Sequence, residues 1–467
     1  MAKLIDILQT KHELDVPNGL IKKLYDMITE KENHNGEGIF NDNSKLDGEI
    51  TLANPTYKEW TDKINEVFPY LIIHTLYYLL FQDKKVETMM INHLLSKGVG
   101  DGIGITEENA KDILINSLPS MSNYRDIEYF NELPKFEKIK SIGGWAFADC
   151  NSLKEIDLSN INSIGEHLFN LCASLEKVTL GSLVSLPTAT FTGCSKLKTV
   201  TGTANITSIG GNCFQDCERL ESIDLSSVTT ITGSQAFKGC KSLTSVNLEN
   251  CTSIGNSAFL NCDYLESVGN TSSLTSVGWG AFRFDTSLET INLSNCTSLG
   301  EYAFDGCTNL RSVDLSNLTT AGRNCFSGCT NLNTVILGPN FKIMPIQMFA
   351  DCGYIQNIDF HYIEDLKLSS VTVDLIQVSL SATSMYLWYV TANVGIEVPA
   401  SVTSISQFAF VYTPYVKFYG TTPPTVGEFH NFDPGKIIVP RGYIDTYKNA
   451  STMWQRLADK TWEEFDP

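Results

Sequence analysis

The chain lacks a hydrophobic run long enough to cross a membrane. Its most apolar stretch, residues 67–81, is shorter than the roughly 20 residues of a membrane-spanning helix, and it contains His74 and three tyrosines. We interpret it as a buried helix, with a helix for self-association as the alternative. The first nine residues are too short and too polar to form the apolar core of a secretory signal peptide. We therefore predict neither a membrane span nor a Sec signal peptide.

Positive charge is scarce. Of the 467 residues, 34 are Lys or Arg and 53 are Asp or Glu, so the formal net charge is −19 and the sequence pI is about 4.8. A surface of this sign repels phosphate backbones and anionic lipid headgroups. The composition therefore argues against a general nucleic-acid binder and against docking on membranes.

Catalytic and metal-binding motifs are also missing. The sequence has no HExxH, no GxSxG and no Walker loop, and the glycines at positions 98, 100, 102 and 104 lack the strand that precedes a dinucleotide-binding loop. We interpret those glycines as a flexible linker. The seven histidines are scattered, and none lies near a Cys or an acid at a metal-ligand spacing. We predict no enzymatic activity, no cofactor and no metal.

Cysteine is absent outside one region, because all thirteen cysteines lie between Cys150 and Cys352. Nine of them follow a phenylalanine by three residues, in a unit that recurs every 22 or 23 residues, and Asp285 takes the cysteine position in the seventh copy. The phenylalanines are Phe147, Phe169, Phe191, Phe214, Phe237, Phe259, Phe282, Phe304, Phe326 and Phe349. A fixed period of this size indicates a solenoid of stacked units.

The spacing of the cysteines favours free thiols over disulfides. Equivalent residues of stacked strands lie about 4.8 Å apart, whereas a disulfide needs Cβ atoms about 3.8 Å apart with a specific dihedral angle. The pairs Cys213–Cys217 and Cys325–Cys329 could present two thiolates to a metal, but two ligands do not make a zinc site. We predict a column of buried thiols that act as small hydrophobic groups.

Each repeat has two halves with different patterns. One half has the form L-x-x-I-x-L, as in residues 153–158, and its alternation points Ile156 and Leu158 inward and Glu155 and Asp157 outward. These segments are expected to align as a parallel ladder. The other half has the form S-I-G-x-x-A-F-x-x-C, as in residues 253–262, and predicts a short helical turn after a corner that the glycine allows.

This pattern over residues 136–360 resembles the BspA-like leucine-rich repeats. Residues 398–413 resemble one further repeat, and residues 421–454 resemble the closing segment of such proteins. The resemblance implies a leucine-rich repeat solenoid whose relatives are bacterial surface proteins that act in adhesion. Similar repeats also occur in virion proteins of phages that infect gut bacteria, and the linker at residues 100–113 is similar to theirs.

We predict an α/β leucine-rich repeat solenoid, a parallel β ladder with short helical turns, between two other parts. Residues 1–123 are expected to form an α-helical N-terminal docking domain, since helical patterns recur there without Cys or repeats. Residues 124–360 hold the ten repeats, with an N-terminal cap at 124–138. Residues 361–467 are expected to form a divergent repeat and a β-rich C-terminal cap.

Candidate binding residues are sought among aromatic side chains, because protein-binding surfaces favour Trp, Tyr and Arg. The outward positions of the ladder are small and polar and predict at most a weak surface. Asp285 is expected to point outward or to pair with Arg283, since an unpaired buried carboxylate is costly. It marks either a structural break or a site. The candidate ligand-binding residues are Tyr386, Trp388, Tyr389, Tyr412, Tyr415 and Tyr419, although most aromatic residues of this region could instead fill the terminal cap.

The leading functional hypothesis is a non-catalytic phage virion protein, a fibre or tail component, made in the host cytoplasm. Its N-terminal domain would bind other virion or scaffold proteins, and the solenoid would project toward a host surface protein or glycan. A homo-oligomer is possible, with no nucleic acid and no membrane span. The alternative is a bacterial cell-surface adhesin or an intracellular protein-binding scaffold.

Overall fold

The computed structural model describes residues 83–96 and 125–467, apart from residues 410 and 428. Helix α1 (Lys84–Ser96) is the described part of the predicted helical domain, and its Val86 and Met90 are buried. The rest of that prediction, residues 1–123, lies outside the described residues, and so does the proposed domain boundary. Within the described part of the chain, no helix is long and apolar enough to cross a membrane.

Residues 129–136 cover the N-terminal end of the solenoid. Strand β1 (Tyr129–Phe130) pairs in parallel with β3 (Glu155–Leu158), the first of the L-x-x-I-x-L strands. A 3-10 helix follows at Leu133–Lys135. Phe130, Leu133 and Phe136 are fully buried, so they close the otherwise open core of the first repeat.

The L-x-x-I-x-L segments form the first parallel ladder. In β3, Ile156 and Leu158 are buried while Glu155 and Asp157 are partly exposed, as the alternation predicts. The ladder runs in two sheets, and between them Ser222 makes a single bridge to Thr199 of the first sheet. Its further strands are β5 (Lys177–Leu180), β7 (Thr199–Thr201), β10 (Ser245–Asn247), β12 (Ser267–Gly269), β14 (Thr290–Ile291), β16 (Ser312–Leu315), β18 (Thr334–Leu337) and β20 (Asn357–Ile358).

The S-I-G segments form a second parallel ladder of two-residue strands. A glycine follows most of these strands, although Pro187 takes its place once, and from Gly165 onward these glycines lie against the backbone of the previous repeat. A Cβ on Gly233 would lie 1.9 Å from the backbone nitrogen of Gly211, so only glycine fits this corner. The strands are β2 (Ser141–Ile142), β4 (Ser163–Ile164), β6 (Ser185–Leu186), β8 (Ser208–Ile209), β9 (Thr230–Ile231), β11 (Ser253–Ile254), β13 (Ser276–Val277), β15 (Ser298–Leu299) and β17 (Thr320–Ala321).

The segment around each phenylalanine is a third hydrogen-bonded column. Residues two before and two after the phenylalanine have positive φ, as at Gln235 (62°) and Gly239 (75°). The N–H groups of Gln235, Phe237 and Gly239 donate to carbonyls of the next repeat at 2.7–2.9 Å. Because alternate N–H groups bond to the next repeat, they cannot form the continuous internal bonds of a helix. The prediction of short helical turns is therefore wrong.

The phenylalanines and thiols build the core, as the sequence predicts. Neighbouring Phe rings stack with centroids 5.0–5.7 Å apart and interplanar angles of 3–21°. All thirteen cysteines are free and buried. Eight of them donate from Sγ to the carbonyl of the phenylalanine one repeat earlier, at 2.9–3.2 Å. Burial raises the pKa of the Cys150 and Cys213 thiols to about 12, which keeps them unreactive.

The structure contradicts the prediction that Asp285 points outward or pairs with Arg283. Its side chain is fully buried in the thiol column instead of pointing outward. Arg283 pairs with Asp305, Nε to Oδ2 at 2.8 Å, and not with Asp285. Oδ1 of Asp285 accepts the backbone N–H of Cys262 at 2.7 Å, whereas Oδ2 is buried without a hydrogen-bond partner. The carboxyl group occupies the cysteine position of the repeat because the same turn fixes the backbone there as in every other repeat.

Beyond residue 360 the strands lengthen and bend. Strand β19 (Gly353–Ile355) pairs with β21, and the sheet continues through β22, β24, β27 and β28. Strand β21 begins beside the second ladder, by a bridge from Asp365 to Ile343, and its later part pairs with β19. The strands are β21 (Asp365–Gln377), β22 (Ser384–Val398), β23 (Ser404–Ala409), β24 (Tyr412–Phe418), β25 (Thr425–Val426), β26 (Phe429–His430), β27 (Asp433–Pro440) and β28 (Thr461–Phe465).

Two short helices, α2 (Ile444–Lys448) and α3 (Thr452–Gln455), close the C-terminal end. Tyr447 and Trp454 are buried against Phe418, with ring centroids 5.2–5.4 Å apart. The Tyr447 hydroxyl donates to the carbonyl of Gly420 at 2.8 Å, and Trp454 Nε1 donates to Pro424 at 3.3 Å. The polar tips of both rings are thus satisfied inside the cap.

Candidate functional site

The outward side of the first ladder offers little to a ligand along most of its length. Exposed charges there pair across neighbouring repeats, as in Lys154–Glu128 at 2.6 Å and Arg311–Glu289 at 3.3 Å. Such surface pairs contribute little free energy. The positions between them hold small polar side chains, among them Thr179, Thr199, Ser245, Ser267, Thr290 and Ser312.

The same side changes character at its C-terminal end. The strand register aligns Gln377, Glu397 and Lys417 in one row across β21, β22 and β24, and Ile438 and Glu463 continue it. Larger aromatic and charged side chains therefore replace the small ones. We call the group Gln377, Glu397, Tyr415, Lys417, Tyr419 and Phe465 the phenol–carboxylate face.

Glu397 is the centre of this face. Its Oε1 accepts from the Tyr415 hydroxyl at 3.4 Å, and its Oε2 accepts from the Tyr419 hydroxyl at 3.2 Å and from Gln377 Nε2 at 3.1 Å. Partial burial raises the pKa of Tyr415, and the nearby Glu397 carboxylate adds to that rise. Three donors on one carboxylate hold both phenol rings in place.

Two further contacts fix the rings. A Cβ on Gly395 would lie 2.4 Å from Cζ of Tyr415, so the Tyr415 ring lies against a backbone that must be glycine. Lys417 Nζ is 4.6 Å from the centre of the Tyr419 ring and 4.1 Å from that of Phe465, within cation–π range. The Tyr419 and Phe465 rings meet edge to face at 5.3 Å.

The six predicted residues do not form one site. Tyr415 and Tyr419 meet on Glu397, as described. Trp388 and Tyr389 contact each other with ring centroids 5.5 Å apart, in the earlier part of β22. Tyr386 pairs with Lys367 of β21 in the same part, and Tyr412 is half exposed at the start of β24, opposite Thr391 and Asp433.

Glu397, Lys417, Gln377 and Phe465 were not predicted from the sequence. The sequence feature that points to Glu397 and Lys417 is the alternation within residues 395–398 and 415–418. However, the register shifts after Val373 between β21 and β22, and after Thr391 between β22 and β24. Without those shifts the row cannot be aligned by counting. The resulting face offers rings, a carboxylate and an ammonium group, which suits binding. Within the described residues, no cluster of His, Cys, Asp and Glu could hold a metal ion.

Comparison with known proteins agrees with the geometry of the repeats. The model of the BspA type leucine-rich repeat region matches residues 122–244 and 230–356, with six copies. No curated protein matches. Among solved structures, a leucine-rich repeat protein from Bacteroides ovatus is 22% identical over 70% of this chain and 88% of its own, with a TM-score of 0.41.

Two further structures are similar. A leucine-rich repeat protein from T. pallidum is 27% identical over 37% of this chain and 72% of its own, with a TM-score of 0.30. A leucine-rich cell surface protein from Faecalibacterium prausnitzii is 19% identical over 67% of this chain and 86% of its own, with a TM-score of 0.35. The family match spans half of the chain, and the Phe and Cys columns lie within it. The chain belongs to the BspA-type leucine-rich repeat family.

Proposed function

We propose that this chain is a non-catalytic binding protein whose ligand contacts the phenol–carboxylate face. The observation that carries the proposal is the network on Glu397, which holds Tyr415 and Tyr419 at the C-terminal end of the ladder, where rings replace small residues. The family of BspA-type repeats is generally non-enzymatic. Rings that are ordered before binding lose less conformational entropy on binding, and this raises affinity.

The ligand class that suits this face combines an apolar surface with hydroxyl or charged groups, as in a host glycan or a surface protein. Tyr419 is 38% exposed, so its ring can still be covered. The carboxylate of Glu397 and the ammonium group of Lys417 supply an acceptor and a donor beside it. The N-terminal part is proposed to attach the chain to other proteins.

Removing both rings is expected to weaken binding while leaving the fold intact. We expect the Tyr415→Ala, Tyr419→Ala double variant to bind at least about 10-fold more weakly, since ring truncation at a binding centre costs more than about 1 kcal/mol. The measurement is binding of the full chain to an array of host and bacterial glycans and envelope proteins. Tyr264→Ala is the matched control, because Tyr264 is 64% exposed and lies in the sixth repeat. Equal binding by the double variant and the wild type would contradict the proposal.

The finer hypothesis is that the protein works in a phage virion, as a fibre or tail component. What supports it is the resemblance of the repeats and of residues 100–113 to such virion proteins. Proteomics of purified virions and of washed host cells tests it, and we expect enrichment in virions. A fibre also predicts a symmetric oligomer by light scattering. Detection in host envelopes alone would favour the adhesin instead.

A further inference from the structure

Three large rings and two arginines interrupt the turn columns in the seventh to ninth repeats. The position three before the column phenylalanine holds Gly211, Ser234 and Asn256 in earlier repeats, and Trp279 in the seventh. The position two after it holds Gly239 and Asn261, and then Phe284. We call Trp279, Arg283, Phe284, Tyr302 and Arg323 the arginine–aromatic patch.

The members of the patch contact one another. The Arg283 guanidinium lies 4.5 Å from the centre of the Phe284 ring and 4.9 Å from that of Tyr302. The Arg323 guanidinium, from the following repeat, lies 5.7 Å from the centre of the same Tyr302 ring. The Trp279 ring meets the Tyr302 ring edge to face, with centroids 6.0 Å apart. Arg283 is anchored by Asp305, Nε to Oδ2 at 2.8 Å. The rings are thus held in place before any partner arrives.

The patch is strained without gaining burial. Phe284 and Tyr302 have φ of 63° and 59°, a region that bulky residues adopt at a free-energy cost. The Phe284 ring lies over the next repeat, since a Cβ on Gly306 would be 2.6 Å from its Cδ1. Yet Phe284 stays 42% exposed and Trp279 39% exposed. The core beneath is already filled by Phe282, so core packing does not explain these rings.

The charges of the patch indicate the partner. Two of the seven arginines of a chain with net charge −19 lie here. Arg323 is the available one, because its side chain is 55% exposed and reaches Glu301 only at 3.4 Å. A guanidinium binds a carboxylate with two parallel hydrogen bonds, which a ligand can offer in place of Glu301. Most of the surface would repel an acidic partner, whereas a ligand carboxylate that displaces Glu301 can pair with Arg323 here.

We propose that the arginine–aromatic patch docks a peptide segment in which an aspartate or glutamate stands beside a large apolar side chain. The carboxylate binds Arg323, and the apolar side chain covers Trp279 and Phe284. Trp, Tyr and Arg are the residues that carry most of the free energy at protein interfaces. This surface is separate from the phenol–carboxylate face and does not depend on the function proposed for it.

A random dodecapeptide display library selected on the full chain tests the proposal. We expect the enriched peptides to share an acidic residue next to an aromatic or aliphatic one. Binding of the best synthetic peptide is expected to weaken at least about 10-fold in Arg323→Gln and in Trp279→Ala, and to weaken as salt is raised. Arg311→Gln is the control, because Arg311 is also exposed and paired with a glutamate, at 3.3 Å.

Three outcomes would overturn the proposal. One is enrichment of peptides without a shared acidic residue. Another is equal loss of binding in Arg311→Gln and Arg323→Gln. The third is a ligand whose binding requires Trp279 but not Arg323, which would indicate stacking on an uncharged partner such as a glycan. All the substituted side chains are part exposed, so thermal melting is expected to be unchanged and to show that the variants are folded.

Discussion

Replacing Phe237 by alanine is expected to lower the free energy of unfolding by about 3–5 kcal/mol. Phe237 is fully buried and stacks between Phe214 at 5.0 Å and Phe259 at 5.1 Å. Alanine would leave a cavity inside the ring column and remove the contacts to both neighbours. In a solenoid, stability is close to a sum of terms within and between neighbouring repeats, so a central defect weakens two interfaces.

Urea denaturation followed by circular dichroism measures this change. Tyr264→Ala is the matched control, since it removes a mostly exposed ring one repeat away and is expected to change the free energy of unfolding by less than about 0.5 kcal/mol. A change below about 1 kcal/mol for Phe237→Ala would show that the ring column does not hold the solenoid together.

The second large effect is expected at Asp285 and depends on pH. Burial raises the pKa of this carboxyl well above its ordinary value, and the negative Asp263 nearby adds to the rise, while the hydrogen bond from the Cys262 backbone opposes it. Arg283, the cation next to it in the chain, is bound to Asp305 instead. The thiols of Cys262 and Cys307 are the other titratable groups that face it.

Asp285 therefore stabilises the fold only in its neutral form. In other repeats the residue of this slot donates to the carbonyl of the phenylalanine one repeat earlier, which for Asp285 is Phe259. A protonated carboxyl group has an O–H that can donate, as the thiols do, whereas a carboxylate can only accept. The folded-state pKa lies above the unfolded value of about 3.9, so stability is fully present below pH 4 and is lost as pH rises through the folded-state pKa.

The test compares the wild type with Asp285→Asn and Asp285→Cys. Both variants keep a donor in the slot and cannot ionise near neutral pH. We expect their stability advantage over the wild type to grow from about pH 4 upward by about 1.4 kcal/mol per pH unit until the folded-state pKa is reached. Other carboxylates titrate alike in all three proteins and cancel. A pH-independent difference would mean that Asp285 is ionised in the folded chain.

The sequence predicts the periodic parts of the fold because the same pattern of residues recurs in every repeat. Ile156, Leu158 and the Phe and Cys columns lie where the alternation and the period place them. The turn conformation was missed because positive φ is carried by residues as different as Gln235 and Gly239. The burial of Asp285 was not predicted because the backbone of this one repeat follows that of its neighbours, and this places the carboxyl group in the core although its desolvation is costly.

The binding face was harder to predict, since it lies where the period ends. Tyr415 and Tyr419 were identified from their aromatic character, and the structure brings them together on Glu397. Trp388 and Tyr389 were predicted to bind together with them only because they lie nearby in the sequence. The positions of Glu397 and Lys417 in one row depend on two register shifts, and the composition of the strands does not indicate these shifts.

Hydrogen exchange of the full chain, with and without the strongest ligand of the glycan and protein array, tests the binding face most directly. Backbone amides that a ligand covers or stabilises exchange more slowly. We predict slower exchange in β24 (Tyr412–Phe418), in the second half of β22 and in β28 (Thr461–Phe465). Protection confined to the ladder strands of residues 153–337, with none in these three strands, would contradict the proposed binding face.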